Sequence, residues 1–340
     1  GKAYGTLVGG LFTVFGTYMT LKAAMGAIYE FIIIILFALA AIIISLFAGF
    51  FSIPVALVMM VPFMAILVIM IIVAVIIKDA FNIRGSGLPG IPSCFKKGTR
   101  IDTLNGMRNI ENITVGTKLK NNTYVTAVFE CDATKETMYE IDGIVVSSKH
   151  GIIWQDEWIP VKDHPHAVKC ENFEDKTIYC INTSNKKIRI KNYIFHDWDE
   201  MVESDYRTLS KKLEKKITQT NLFSEFETGF HGSVVMSGKE IRDIKVNDIL
   251  DCGSKVTAIV KIDGTKIKTF NYGIIKAGKK IKIANKNLGI KTLEELFPID
   301  YKIHKKESIL YHLVTNTGFF KIKNTTFLDY NSNIDYYLSL

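Results

Sequence analysis

The chain has 340 residues, 48% of them hydrophobic, and a formal net charge of +8 with lysines mixed among acids. That length holds an anchor and two domains, and the modest, dispersed charge fits a solvated surface or anionic headgroups, so no nucleic-acid partner is expected. Five cysteines, Cys94, Cys131, Cys170, Cys180 and Cys252, are odd in number and form no CxxC pair. That argues against a zinc site and a disulfide framework, and no metal or cofactor is expected.

Residues 1–30 are apolar and glycine-rich, with no charge from Ala3 to Leu21. They read as a third span, a re-entrant segment or an interfacial helix. From Phe31 to Ile77 no residue is charged and none is histidine, a run of 47 positions. A bilayer span needs roughly 20. Pro54 divides the run into "FIIIILFALAAIIISLFAGFF" and "VALVMMVPFMAILVIMIIVAVII". This predicts a transmembrane α-helical hairpin over 31–78, an integral membrane location and the lipid bilayer as a partner. Two spans place both ends on one side, the reducing, lysine-rich one. Residues 79–93, ending "GSGLPGIPS", read as an extended linker.

Beyond the linker the pattern changes to short β-branched runs such as "TRIDTL", "YVTAVFE", "GIVVSS" and "KKIRIKN", separated by Asn, Gly and Asp turns. That predicts an all-β soluble region. One stretch, Asp205 to Phe226, has a helical pattern and divides the region in two. The halves are related. Asn105–Val128 matches Ser237–Val260, and Ile178–Asp199 matches Leu310–Asn331, both at an offset of 131 to 132 positions. The expected domains are 94–200, a connector over 201–230, and a second, degenerate copy over 231–340.

Residues shared by both copies build the module, and residues in one copy are candidates for chemistry. Cys94, His150, Trp154, Trp158, His164 and His166 belong to the first copy alone. His164 and His166 in "DHPHA" have the look of a metal pair but lack a nearby third ligand, and a surface turn is the simpler reading.

"SCFKKGTRIDTLNG", "IENITVGTKL", "VVSSKHGII" and "YIFHD" together resemble the Hint module of hedgehog autoprocessing domains and inteins, over residues 93–200. The fold class implied is a transmembrane hairpin followed by tandem Hint-like β modules. The resemblance makes Cys94 the nucleophile on the carbonyl of Ser93, the scissile position. His150 takes the place of the family histidine at the cleaved amide, Ser147 that of its threonine, and His196-Asp197 that of the closing pair. Thr117 replaces the usual aspartate of one element, which Asp248 keeps in the second copy. Asp197 cannot cyclise as asparagine does, and Trp198 cannot accept an acyl group. The implied activity is therefore self-cleavage at Ser93–Cys94 rather than splicing, with no multiple-turnover enzyme. The alternative is a non-catalytic scaffold. "IYCINT", "FHDWDE" and the terminal "DYNSNIDYYL" look like tandem modules of large DNA viruses. That likeness implies a minor capsid protein of a virion, linking its internal membrane to the shell with protein partners in a larger assembly.

Overall fold

A computed structural model of the chain describes residues 94–120, 122–285, 289–296 and 307–339, together with single helical positions at Ile32, Ile35, Ile66, Val68, Ile69, Ile72 and Val73. The chain divides into two compact units, Gly1–Pro89 and Gly90–Leu338. The expected transmembrane hairpin and integral membrane location are corrected here. Among the described residues no helix is long and apolar enough to cross a membrane. Spanning takes about 20 apolar residues in one continuous helix; a run without charge satisfies the composition but does not impose helical continuity. The remainder of 31–78, with 1–30 and the 79–93 linker, lies outside the described residues. The expected all-β region is present.

Alternating burial drives its strands. In Lys187–Ile190 the lysine and arginine face out while both isoleucines are buried, and Phe319–Ile322 repeats the pattern. Such period-2 alternation covers one face of a sheet. Eleven strands form one long sheet. Its first-copy half runs from Val125–Asp132 through Thr177–Thr183, Phe95–Lys96, Ile144–Ser147 and Met138–Ile141 to Val168–Lys169. Its second-copy half runs from Val256–Asp263 through Ile309–Thr315, Phe230–His231 and Ile275–Gly278 to Thr269–Tyr272. Each copy adds a four-stranded sheet. In the first copy this is Lys187–Ile190, Tyr193–His196, Gly151–Trp154 and Glu157–Pro160, and in the second it is Phe319–Ile322, Thr325–Leu328, Lys282–Asn285 and Gly289–Thr292.

The two copies meet where Val125–Asp132 and Val256–Asp263 pair antiparallel, with Ala258 opposite Cys131, Val260 opposite Phe129 and Ile262 opposite Ala127. Adding 131 to Ala127 gives Ala258, and to Cys131 gives Ile262, so the outer pairs exchange and the seam maps onto itself about the Phe129–Val260 pair. Local bonds repeat too. Gly116 N–H donates to Val125 O at 2.8 Å, and Asn247 N–H to Val256 O at 2.8 Å. Both donors have left-handed backbones, at φ 77° and 74°. Thr117 and Asp248 do one job, since each side chain accepts an N–H three residues back, from Thr114 and Lys245.

The expected helix over 205–226 is two helices, Glu203–Lys212 and Gln219–Phe226. Ser210 Oγ accepts Ile217 N–H at 2.8 Å, and Asn221 Oδ1 accepts Thr218 N–H at 2.8 Å, so polar side chains close the break between them. A helix that the strand pattern did not predict, Tyr330–Ser339, ends the chain. Its Tyr330 ring meets Phe129 edge-on at 5.3 Å, while Trp198 stacks on Phe129 at 4.3 Å and donates to Asn331 Oδ1 at 2.9 Å. Phe129 thus ties the seam to both the first copy and the last helix. Phe129→Ala is expected to cost about 3–5 kcal/mol, read as a lowered urea midpoint. Amide exchange should accelerate in both copies together; faster exchange in one copy alone would show that the seam does not couple them.

Candidate functional site

Cys94 lies immediately before Phe95–Lys96, a short strand held between Ile144–Ser147 and Thr177–Thr183. Phe95 points into the core, and its pairing with Tyr179 and Val146 sets where Cys94 sits. Ser147 grips Cys94 from both sides. Cys94 N–H donates to Ser147 Oγ at 2.8 Å, and Ser147 N–H donates to Cys94 O at 2.8 Å. This nitrogen belongs to the Ser93–Cys94 bond; Ser93 itself lies outside the described residues.

After Ser147 the chain turns, with His150 N–H donating to Ser147 O at 3.1 Å, which brings His150 onto the same wall. The ring is fully buried, 4.7 Å from the Phe95 ring and 5.6 Å from that of Phe195. Nε2 lies 2.9 Å from the His196 carbonyl, an acceptor, so the proton sits on Nε2. Nδ1 is left as a buried lone pair with no hydrogen-bond partner among the described residues. Burial pulls the imidazole pKa down to about 4, so it is a neutral base at pH 7.

His196 is buried and stacks on Trp158 at 3.5 Å, and its side chain covers Gly151, where a Cβ would fall 2.3 Å from Cδ2. Only glycine fits there. Burial, followed by the field of His150, pulls the His196 pKa down to about 3. It reaches the site through its backbone carbonyl on His150.

Asp197 stands elsewhere. Its Oδ2 accepts Thr183 N–H at 3.0 Å and its Oδ1 accepts Asp199 N–H at 3.2 Å. The second copy repeats this tie, with Asp329 Oδ2 accepting Thr315 N–H at 2.8 Å. A bond kept in both copies builds the module.

Two features of this neighbourhood were not read from the sequence. The first is a thiol cluster. Cys94 Sγ touches Cys131 Sγ at 3.4 Å, and Cys180 also contacts Cys94; all three are buried and none is in a disulfide. Burial, then the two neighbouring thiols, holds the Cys94 pKa well above its ordinary value. The second is a buried charge cluster. Lys186, 3% exposed, donates to Asp199 Oδ2 at 2.6 Å and to Glu227, and lies 3.6 Å from Asp197. It holds a left-handed backbone at φ 59°, where the second copy has Gly318 at φ 77°. A lysine in a glycine's conformation was the available signal, visible at the repeat offset of 132. One ammonium neutralises one carboxylate, so burial raises the others, taking Asp197 to about 8 and Glu227 upward.

The second copy lacks the site. Phe230 pairs with Tyr311 and Ala277 as Phe95 does with Tyr179 and Val146, so Gly229 stands where Cys94 does. The bond from Gly278 N–H to Gly229 O and that from Ile281 N–H to Gly278 O place Gly278 opposite Ser147 and Ile281 opposite His150. His164 packs against Trp154 at 4.6 Å and Tyr193 at 5.6 Å. Among the described residues no three His, Cys, Asp or Glu side chains converge to hold a metal ion.

No family model matches the chain, and no curated protein matches it. A solved structure described as the AceL NrdHF class 3 split intein, GSH linked, in a splice-inactive variant, overlaps 31% of this chain and 98% of its own. The overlap has 14% identity and a TM-score of 0.17, and at that score it carries no argument about this chain.

The raised carboxylates set a pH dependence. A folded-state pKa above the unfolded one means the native state binds the extra proton, so stability falls as pH rises through the folded value. The buried histidines oppose this only below about 6.5, where the unfolded chain takes up protons. Between pH 6.5 and 8 unfolding free energy should therefore fall, by about 1.4 kcal/mol per pH unit for each titrating carboxylate. Asp197→Asn should flatten that slope in urea titrations; an unchanged slope would mean that Asp197 is not the titrating group.

Proposed function

We propose that the first copy is a Hint-type self-processing module that breaks the Ser93–Cys94 bond through a thioester on Cys94. The observation that carries this reading is the grip on the bond's own nitrogen. Cys94 N–H donates to Ser147 Oγ at 2.8 Å, three residues before a buried neutral histidine, and the copy without the cysteine has also lost the serine and the histidine.

In this reading Cys94 Sγ attacks the carbonyl carbon of Ser93. The C–S bond forms, the C–N bond breaks, and the thiol proton ends on the Cys94 nitrogen. In this reading His150, whose Nδ1 has no hydrogen-bond partner among the described residues, carries the proton from sulfur to nitrogen. Ser147 keeps the nitrogen in register. Water then opens the thioester, leaving a Ser93 carboxylate and regenerating the Cys94 thiol. Because burial keeps the thiol protonated, the reaction is slow at neutral pH and faster in base. Asp197, committed to the Thr183 amide, takes no part, in keeping with cleavage rather than splicing.

A scaffold without chemistry is the second reading. It is favoured by the packing of Cys94 Sγ against Cys131, which leaves no base hydrogen-bonded to the thiol among the described residues. Intact mass of the full chain separates the two. At pH 8.5 with dithiothreitol, the wild type should yield two fragments divided between Ser93 and Cys94, and Cys94→Ala should stay whole. Ser147→Ala should slow cleavage by about tenfold or more, the usual scale of a lost proton-positioning contact. Hydroxylamine should leave a hydroxamate on Ser93. A wild-type chain that stays whole under both reagents overturns self-cleavage.

A further inference from the structure

The second copy has lost the first copy's chemistry, yet it holds a buried amine of its own. Lys282 stands at the offset equivalent of Gly151, the residue that His196 covers in the first copy. It is 3% exposed and lines a cavity of about 280 Å³ together with Leu213, Phe226, Tyr337, Glu225 and Glu294. Nζ lies 4.8 Å from the Phe226 ring centre and 5.4 Å from that of Tyr337. Its one hydrogen bond among the described residues is a long one, 3.5 Å to Lys280 O.

No carboxylate around the cavity pairs with this amine. Glu225, from the helix Gln219–Phe226, is engaged by Lys215 and Lys280. Glu294, from the short helix Leu293–Leu296, is held by Lys279 at 3.0 Å and Lys280 at 2.6 Å. Glu295 beside it accepts from Thr292 and Lys291. His312, on Ile309–Thr315, is kept neutral by burial and offers no negative charge. Lys282 is thus desolvated, beside a second cation, with its potential partners committed elsewhere. Desolvation first and the Lys280 charge second lower its pKa to about 8. An amine desolvated next to another cation is activated as a nucleophile.

We propose that Lys282 is a nucleophilic amine and that its cavity binds an aromatic carbonyl compound, which the amine captures as an imine. The Nζ lone pair adds to the carbonyl carbon, a proton moves from nitrogen to oxygen, and loss of water leaves a C=N bond. Phe226 and Tyr337 supply ring faces for an aromatic body.

Reductive trapping of the wild-type full chain tests this without relying on a variant that folds. Benzaldehyde with cyanoborohydride is applied from pH 6 to 10, and the labelled lysines are mapped by peptide mass spectrometry. At pH 7 an amine of pKa 8 has about 200-fold more free base than an ordinary lysine. Lys282 should label faster than the surface lysines by about tenfold or more, with a pH midpoint near 8. Lys282→Arg should abolish the fast phase. Labelling of Lys282 no faster than surface lysines overturns the nucleophile. Relative to the surface lysines, acetaldehyde, which has no ring, should favour Lys282 less than benzaldehyde does; equal selectivity overturns the aromatic site.

Discussion

The pairing of Val125–Asp132 with Val256–Asp263 is the constraint on which the rest depends. Each copy taken alone would present this strand as an open edge, a row of unpaired backbone groups. Antiparallel pairing about Phe129 and Val260 satisfies both edges with one set of bonds, and it is self-complementary as a two-fold interface is. The first copy's core therefore continues across the seam to Ala258, Val260 and Ile262. The same strand carries Cys131 to the sulfur of Cys94, and its Phe129 holds Trp198 and Tyr330.

Duplication separates what the module needs from what one copy alone carries. The Asp197–Thr183 and Asp329–Thr315 ties, and the left-handed positions Lys191 and Lys323, recur because both copies need the same turns closed. Cys94, Ser147 and His150 give way to Gly229, Gly278 and Ile281 without loss of the strand pairing. Their polarity is therefore not needed to fold the module. Burying a thiol, a hydroxyl and an imidazole costs free energy unless each finds a partner, and the Nδ1 of His150 has none among the described residues.

The buried polar groups fall into two kinds. Lys186 with Asp197, Asp199 and Glu227 is ion-paired within itself, three carboxylates to one ammonium; it links the first copy to the connector, since Glu227 follows the helix Gln219–Phe226. Removing a member of such a cluster strands a charge, which makes it a specifier of geometry more than a source of stability. Lys282 is of the other kind. Its neighbours' charges are spent on surface lysines, and the amine faces a cavity.

The β-rich character was legible in the residues, through alternation and turn residues, and one constant offset pointed to two copies. Cys94, Ser147 and His150 were singled out through the Hint resemblance of their segments. Local patterns survive duplication because each copy meets the same turn sterics and the same buried face. Three readings needed the fold. An uncharged run of 47 residues suggested two spans, but composition limits where a chain can reside without making a helix continuous. Asp197, read as one of the closing pair with His196, holds the Thr183 amide, a contact between separate segments that no local pattern shows. The Cys94–Cys131 contact joins residues 37 positions apart and the Lys186–Glu227 pair residues 41 apart, while helices distant in the chain line the Lys282 cavity. Sequence by itself determined what repeats in this protein; tertiary structure alone decided what meets, because strand register between distant segments is set by the packing of the whole sheet.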